Sequence, residues 1–476
     1  GSSRFAPDNR WGFFPSFSAG YDISRTPYFT KLNLPVSQLK VRVSYGRLGN
    51  QNGAGLYDYL GVMTLDPNNV NAWLLPGTGN KPAKGTISLT PKMISPYITW
   101  EKVDNANIGL DLMLFDDRLS VTFDAYQRTT KDMIGPAEAI PAVSGIVPDD
   151  RAKINNATLR NRGWELSVNW QDKLKCGFSY GIGFNLFDYK AVVTKYNNPE
   201  GIIYNNHTGL ARNKGYYEGM DIGEIWGFVA DDLFMTNREV DDYLQSKDLS
   251  FFKADNLWQA GDLKYIDVNR DGKVDPGKGT LDDHGDLRII GITTPKYSFG
   301  INLKAGYKGF QVSTLFQGVG KRDFPLAGST YLFGGKNYFK EHLDYFSPQN
   351  PDAYLPRLAD PKTDDYRVNA GYNTTRYMVN AAYMRMKNLT VSYTFDKKML
   401  KALRLENLRL YFTCDNLFTI TSLPKSFDPE TLNQANTWAG GSNDTAPGLT
   451  SAANENGNGK VYPMNRNFVF GIDFTF

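Results

Sequence analysis

The chain has 476 residues, with 53 Lys and Arg against 50 Asp and Glu, so its net charge of +3 gives no pull toward nucleic acid. Aromatics are 14% of it and Gly reaches 45, a composition that excludes a disordered chain, while only 3 His argue against a histidine-rich metal site. No run of about 18 apolar residues occurs, so no transmembrane helix is encoded.

From the N-terminus, Gly1-Ser2-Ser3-Arg4-Phe5 reads as the inside of a loop and not as a signal peptide. The expectation is that this is the later part of a longer chain. Strict alternation then begins. Leu39, Val41, Val43 and Tyr45 interleave with Lys40, Arg42, Ser44 and Gly46, and Leu119, Val121 and Phe123 with Ser120, Thr122 and Asp124. Trp164, Leu166, Val168 and Trp170 interleave with Glu165, Ser167 and Asn169; Phe178, Tyr180, Ile182, Phe184 and Leu186 with Ser179, Gly181, Gly183 and Asn185. Tyr297, Phe299, Ile301, Leu303, Ala305 and Tyr307 follow, against Ser298, Gly300, Asn302, Lys304 and Gly306. The last row is Phe468, Phe470, Ile472, Phe474 and Phe476, against Asn467, Val469, Gly471, Asp473 and Thr475. Cys176 and Cys414 fall far apart in different candidate strands and read as small strand residues, with neither a disulfide nor a metal spacing.

A side-chain period of two marks half-exposed antiparallel strands. Strands of soluble sandwiches run mostly about five or six residues, whereas a tilted strand crossing a bilayer needs about 9–11. These rows have the longer length, and aromatics close their ends, Trp164 and Trp170, Tyr297 and Tyr307, as in an interfacial girdle. The fold class expected is all-β, an antiparallel transmembrane β-barrel with apolar rows toward lipid and polar rows toward a wet or plugged lumen. Roughly eleven to thirteen crossing strands can be counted, too few for a complete plugged transporter barrel of about 22.

The connections alternate in length. Asp116-Asp117-Arg118, Gln171-Asp172-Lys173-Leu174-Lys175 and Lys308-Gly309 are tight. Those near Asn50 to Pro96, Lys131 to Asn156, Lys190 to Lys296, Lys321 to Ala381 and Thr419 to Met464 are long. Short periplasmic turns and long extracellular loops are the outer-membrane pattern.

One local site stands out, within the long connection 191–295. Asp267, Asn269 and Asp271 offer side-chain oxygens at alternate positions, Gly272 allows a sharp turn, Lys273 has a carbonyl to offer, and Asp275 follows. The spacing resembles an EF-hand loop and suits Ca²⁺, which takes six to eight oxygens. The twelfth position is Lys278 where an EF-hand has a bidentate Glu, so Asp282, Asp283 or Asp286 is needed to close the shell. The alternative is an acidic turn tied by Asx hydrogen bonds. A cation here would order a loop, since no base or nucleophile accompanies it, and His284 reads as a solvated loop residue. Trp73, Tyr204, Tyr216, Tyr217, Trp226, Trp258, Tyr331 and Trp438 fall in the long loops and could stack on sugars; packing is the better reading for each. The chain shows no phosphate loop, zinc helix or Ser-His-Asp set, and carboxylate pairs alone do not make a glycosidase. An enzyme is not expected.

Several segments together resemble the SusC/RagA group of TonB-dependent transporters. They are Trp11-Gly12-Phe13-Phe14-Pro15-Ser16 with Ser18-Ala19-Gly20-Tyr21; Leu39-Lys40-Val41-Arg42-Val43-Ser44-Tyr45-Gly46 running to Gly49-Asn50-Gln51; and Trp100-Glu101-Lys102. Asn161-Arg162-Gly163-Trp164-Glu165-Leu166 and Phe316-Gln317-Gly318 come next. Tyr383-Met384-Arg385-Met386-Lys387-Asn388-Leu389 with Val391-Ser392-Tyr393, Asp415-Asn416-Leu417-Phe418 and Phe476 complete the set. Read as residues, most are strand and turn positions without a ligand role.

The resemblance implies a plugged barrel of about 22 strands, of which residues 1–476 would be the C-terminal part of the one barrel domain, without signal peptide, TonB box or plug. It implies the outer membrane of a Gram-negative bacterium, with its lipid and lipopolysaccharide as surroundings. It implies import of an oligosaccharide or peptide, a SusD-like surface lipoprotein as lid, and the TonB complex as energy source. Half a barrel leaves two strand edges that lipid cannot satisfy, each orphan backbone group costing several kcal/mol, so another segment should pair with both. A passive porin, or a secreted calcium- and carbohydrate-binding β protein, are the alternatives.

Overall fold

The computed structural model describes residues 1–32, 34–56, 58–61, 65–66, 74–76, 82–84, 87–88, 93–135, 152–203, 216–252, 258–326, 339–359, 368–369, 372–400, 404–432 and 463–476. The period-two rows become one antiparallel sheet of twelve strands. They are β1 Ser16–Asp22, β2 Val36–Asn50, β3 Glu101–Leu114, β4 Leu119–Gly135, β5 Ile154–Lys173 and β6 Ser179–Lys195. Then come β7 Lys296–Tyr307, β8 Phe310–Lys321, β9 Tyr383–Thr394, β10 Asn407–Asp415, the short β11 Thr419–Thr421 and β12 Asn467–Thr475. Each long strand pairs with its neighbour in sequence, β1 through β10 and then β12, while β11 adds to β9. The sheet is open. β1 and β12 are its edges, and no pairing joins them among the described residues.

Register carries the apolar rows across the sheet without a break. Val41 stands opposite Leu110, Leu110 opposite Phe123, Phe123 opposite Leu166, Leu166 opposite Leu186, and Leu186 opposite Phe299. On the far side Val312 faces Val391, Val391 faces Phe412, and Phe412 faces Phe470. A slip of one residue anywhere would turn a whole row onto the polar face, so the shared belt is what fixes the pairing. Its members are not covered by protein: Phe470 is 80% exposed and Ile472 63%.

The tight turns are the ones their residues dictate. Asp116 and Asp117 take φ of 55° and 64°, and Lys308 and Gly309 take 45° and 88°, the left-handed pair that two-residue hairpins need to match strand twist. Cys176 lies in the turn after β5 and not in a strand; both cysteines are free.

At the other end the strands overrun the belt. β5 is 20 residues long, whereas its apolar row runs only from Trp164 to Trp170. There the described parts of the connections 196–295 and 322–382 fold together, which alternation alone did not reveal. Glu224–Phe228 pairs with Leu287–Ile292, Ala230–Leu233 with Leu263–Tyr265, and Asp323–Pro325 with Met378–Asn380. The helix Asn237–Leu244 starts at Thr236, whose Oγ1 accepts from the Glu239 N–H at 3.1 Å. Phe228, Phe234, Leu263, Tyr265, Leu287 and Val368 are wholly buried in one cluster, and Phe252 stacks on Tyr265 at 4.1 Å. This crown has the interior that the sheet lacks.

Candidate functional site

The polar face of the sheet is a wall of fixed charges and small polar groups. Arg42 on β2 stands opposite Gly109, and Gly109 opposite Asp124. With no side chain at 109, the guanidinium reaches across β3: Arg42 Nε and Nη2 donate to Asp111 at 2.8 and 3.0 Å, and Nη2 to Asp124 Oδ2 at 3.0 Å. A Cβ at Gly109 would lie 2.7 Å from Arg42 Cζ. Further along, Asn169, Gly183 and Asn302 stand in one row. Toward the short turns a hollow of about 620 Å³ opens on this face, lined among others by Arg118, Asp172, Lys304, Gln311, Ser392 and Arg409. Such a surface can hold a polar body by hydrogen bonds and ion pairs. Among the described residues, no hydrogen bond on this face joins a nucleophile to a histidine base.

In the crown a buried ion pair ties the two long connections together. Asp262 is fully buried; it accepts from Arg357 Nε and Nη2 at 2.7 and 3.3 Å, from Asn369 Nδ2 at 2.8 Å and from the Gln259 N–H at 2.9 Å. Asn369 Oδ1 in turn accepts from the Leu263 N–H at 2.8 Å. The Tyr265 hydroxyl donates to the Val368 carbonyl, and complete burial holds its pKa well above the usual phenol value, so it stays a donor. At the end of β9, Arg385 meets Asp428 at 2.8 Å and Glu430 at 3.3 Å, and Lys387 meets Glu430 at 2.8 Å, which pins the start of the last long connection. Sequence reading missed all of these pairs. Their partners lie tens of residues apart, and no local spacing announces them.

The acidic run forms a compact turn. Asp267 Oδ1 accepts from the Arg270 N–H at 2.6 Å; its Oδ2 accepts from the Gly272 N–H at 3.0 Å and from Lys247 Nζ at 2.6 Å. Asn269 Oδ1 takes the Asp271 N–H, Asp271 Oδ1 the Lys273 N–H, and Asp275 Oδ1 the Gly277 N–H, at 3.0, 2.8 and 2.7 Å. Asp286, fully buried, accepts from the N–H groups of Val268, Asn269 and Asp275 at 2.6, 3.2 and 3.0 Å. Burial nevertheless pushes the Asp286 carboxyl up from its ordinary value. Asp283 bonds through its backbone with Thr280, and Asp282 is exposed. Arg270 and Gly272 supply the left-handed φ of 65° and 89° that the turn requires. As placed, the carboxylates point to backbone N–H groups, Lys247 is the counter-ion of Asp267, and among the described residues no three Asp, Glu, His or Cys converge on a metal position.

His284 is half-buried, not solvated: its ring lies 5.5 Å from that of Trp226, with Arg288 Nη1 3.0 Å from its Nδ1. Tyr217, Trp226 and Trp258 are core residues and Tyr216 is 49% exposed. Trp73, Tyr204, Tyr331 and Trp438 lie outside the described residues.

An open meander with a continuous apolar outer belt, a charged inner wall and long connections at one end only is a segment of a large membrane barrel. The family described as TonB dependent receptor-like, beta-barrel, matches residues 1–417. The chain belongs to that family. A barrel of this family crosses the outer membrane of Gram-negative bacteria, so the apolar belt faces lipid, and the family is one of receptors and transporters, not enzymes. TonB-dependent receptor P3 of Formosa agariphila is 27% identical over 100% of this chain and 43% of its own length. TonB-dependent receptor SusC of Bacteroides thetaiotaomicron is 26% identical over 90% of this chain and 39% of its own. Among solved structures, that of the RagAB peptide importer in the closed-closed state covers 100% of this chain and 44% of its own, at 21% identity and a TM-score of 0.68. The SusC/RagA likeness read from the motifs therefore stands, and the chain spans less than half the length of the relatives it matches.

Proposed function

We propose that this chain is one wall of the barrel of an active importer of the SusC/RagA type. The observation that carries the reading is the pairing of a lipid-facing apolar belt with a polar, charged inner wall, on which Arg42, Asp111 and Asp124 are tied to one another. A polar plug fits such a wall: the Arg42–Asp111–Asp124 ion pairs give it fixed shape, and Lys304 and Gln311 in the hollow offer it polar contacts. In the whole protein the two edges β1 and β12 would be closed by further barrel strands, since lipid leaves edge N–H and C=O groups unsatisfied. A SusD-like surface lipoprotein would sit on the crown as a lid, the TonB complex would supply energy through the plug, and the cargo would be an oligosaccharide or a peptide. The test is uptake by cells carrying the whole protein, offered single glycans or peptide mixtures as sole nutrient. Uptake that stops when TonB is deleted supports the reading; uptake that continues makes the protein a passive porin.

A divalent cation in the 267–286 turn is a separate proposal. It rests on the chemistry of the donors, with Asp267, Asn269 and Asp271 offering side-chain oxygens, Lys273 a carbonyl, and Asp275 and Asp286 further carboxylates. Ca²⁺ there would require Lys247 to leave Asp267. Calorimetric titration of the whole protein with Ca²⁺, compared with Asp271→Ala, decides it: identical heats for the two proteins end the proposal.

A further inference from the structure

Past the apolar belt at the crown end, the outward face of the sheet turns into a row of cations. Arg162 of β5 stands directly opposite Lys190 of β6 and Gln127 of β4, and Arg160, one same-face step further out, stands opposite Val192 and Thr129. Same-face neighbours along a strand are about 6.8 Å apart, so Arg162 is one such step beyond Trp164, the aromatic that ends the belt on β5. The row continues sideways. Lys102 of β3 faces Lys131 of β4 in register; Lys131 and Arg47 share Asp104 at 3.0 and 2.6 Å, and Lys102 holds Asp132 at 2.9 Å.

Two like-charged pairs thus stand directly opposite one another, an arrangement that destabilises a sheet unless something neutralises it. Around Lys102 and Lys131 each cation, Arg47 included, has a carboxylate partner, though Asp104 and Asp132 are two for three. Around Arg162 and Lys190 the balance is incomplete: Lys190 has Asp221 at 3.6 Å, and Asp188 lies one step inward beside Trp164. Arg162 donates its Nε to Gln127 Oε1 at 2.6 Å, a neutral acceptor, and no ion pair of Arg160 or Arg162 occurs among the described residues. Arg162 and Lys190 are exposed and Arg160 partly so. The surplus positive charge therefore rests on two planar guanidinium groups that open outward at the level of the lipid headgroups.

We propose that Arg160, Arg162 and Lys190 dock the phosphorylated sugar headgroup of an outer-leaflet glycolipid. The forked donors of arginine match phosphate oxygens two at a time. An acyl chain of the same molecule has Leu166, Leu186 and Phe184 of the belt to lie along, two to three steps inward of Arg162 and Lys190 on the same face. A phosphate arriving from bulk water gains only the cations, whereas the glycolipid gains cations and belt together. The proposal rests on the outward face meeting lipid and is independent of what the barrel imports.

The test uses the full-length protein in detergent, its unfolding temperature followed during titration with phosphorylated lipid A, with the same lipid A after removal of its phosphates, and with inorganic phosphate. Phosphorylated lipid A should stabilise the protein, and the other two should not. Arg160→Gln with Arg162→Gln should raise the half-saturating concentration roughly tenfold to thirtyfold, as two headgroup-facing cations imply. Arg128→Gln, on the inward face of β4, should leave it unchanged. Equal stabilisation by dephosphorylated lipid, equal stabilisation by inorganic phosphate, or an unaltered titration in the double variant each overturns the assignment. Should the double variant fail to fold, the wild-type protein still decides. Phosphorylated lipid A should shield Arg160 and Arg162, but not Arg128, from an arginine-modifying dicarbonyl reagent, and modification at the same rate with and without the lipid overturns it.

Discussion

Phenylalanine behaves in opposite ways in the two regions of this molecule. In β12, Phe470 is 80% exposed and Phe474 56%; in the crown, Phe228 and Phe234 are fully buried. The physical preference is the same in both places, removal of apolar surface from water. What differs is where the apolar medium lies. For the sheet it is lipid, outside, so a single layer with its large residues outward is complete. For the crown it is other side chains, and the chain must cross and recross until an interior exists. Composition could not separate the two regions, but periodicity could.

The sharpest break in the comparison is a partner removed from the crown interior. Arg357→Ala would leave the Asp262 carboxylate buried without its cation, a loss of about 3–5 kcal/mol for pairs of this kind. The crown should become open to limited proteolysis while the sheet keeps the heat-modifiable gel mobility of a folded barrel. If sheet and crown are lost together, they are one cooperative unit and the contrast drawn here is wrong.

The sheet has the complementary test. Leu166→Arg or Ile301→Arg puts a charge on the lipid face and should cost about 2–4 kcal/mol near the midplane, whereas Asn169 and Asn302, on the inner face, should accept polar substitution. Equal tolerance on both faces, measured by folding into detergent or lipid, would sink the membrane reading. On the inner wall the expected cost is smaller. Gly109→Val drives a side chain into Arg42 and Asp124, and overpacking of this kind costs about 1–3 kcal/mol. Because Arg42 is half-exposed and can swing toward the lumen, the lower end is expected, read as a modest fall in unfolding temperature.

Legibility followed the same division. The rows from Leu39 to Phe476 were readable because lipid imposes a period of two on every strand that crosses it, and the register across those rows then had one solution. Strand ends were readable to within a few residues: the connection read as Lys131 to Asn156 gives way to β5 at Ile154. The ten residues of β5 before Trp164 carry no apolar row, because above the membrane nothing enforces alternation. The crown was least readable of all, because Asp262, Arg357 and Asn369 meet through tertiary folding alone. The 267–286 run was conspicuous as a spacing of oxygens. Its bonds to Lys247 and to backbone N–H groups were not, since the lysine lies twenty residues earlier, just past the helix Asn237–Leu244.

That lysine gives the smallest effect and the finest comparison. Burial works to raise the Asp267 pKa, but the Lys247 ammonium at 2.6 Å and the N–H groups of Gly272 and Arg270 outweigh it and hold the carboxyl below its ordinary value of 3.8. An acid whose pKa is depressed by folding contributes stability that is present above the unfolded value and is lost as pH falls through the folded one. Asp286, raised by its burial, has the opposite sign: the folded state takes up its proton first, so its contribution grows as pH falls through the interval above 3.8. In Lys247→Gln the counter-ion is gone while the N–H donors remain, so Asp267 contributes less stability above 3.8, what remains is lost by a higher pH than in the wild type, and the Asp286 contribution should be nearly unchanged; the crown, less stable to begin with, reaches its acid transition earlier. The fluorescence of Trp226 and Trp258, both buried in the crown, reports this, and far-UV circular dichroism reports the sheet. The expected outcome is an earlier acid transition in fluorescence with the strand signal unmoved. An identical acid midpoint for the two proteins would show that Lys247 is a bystander, and that the turn is held at Asp267 by its backbone bonds alone.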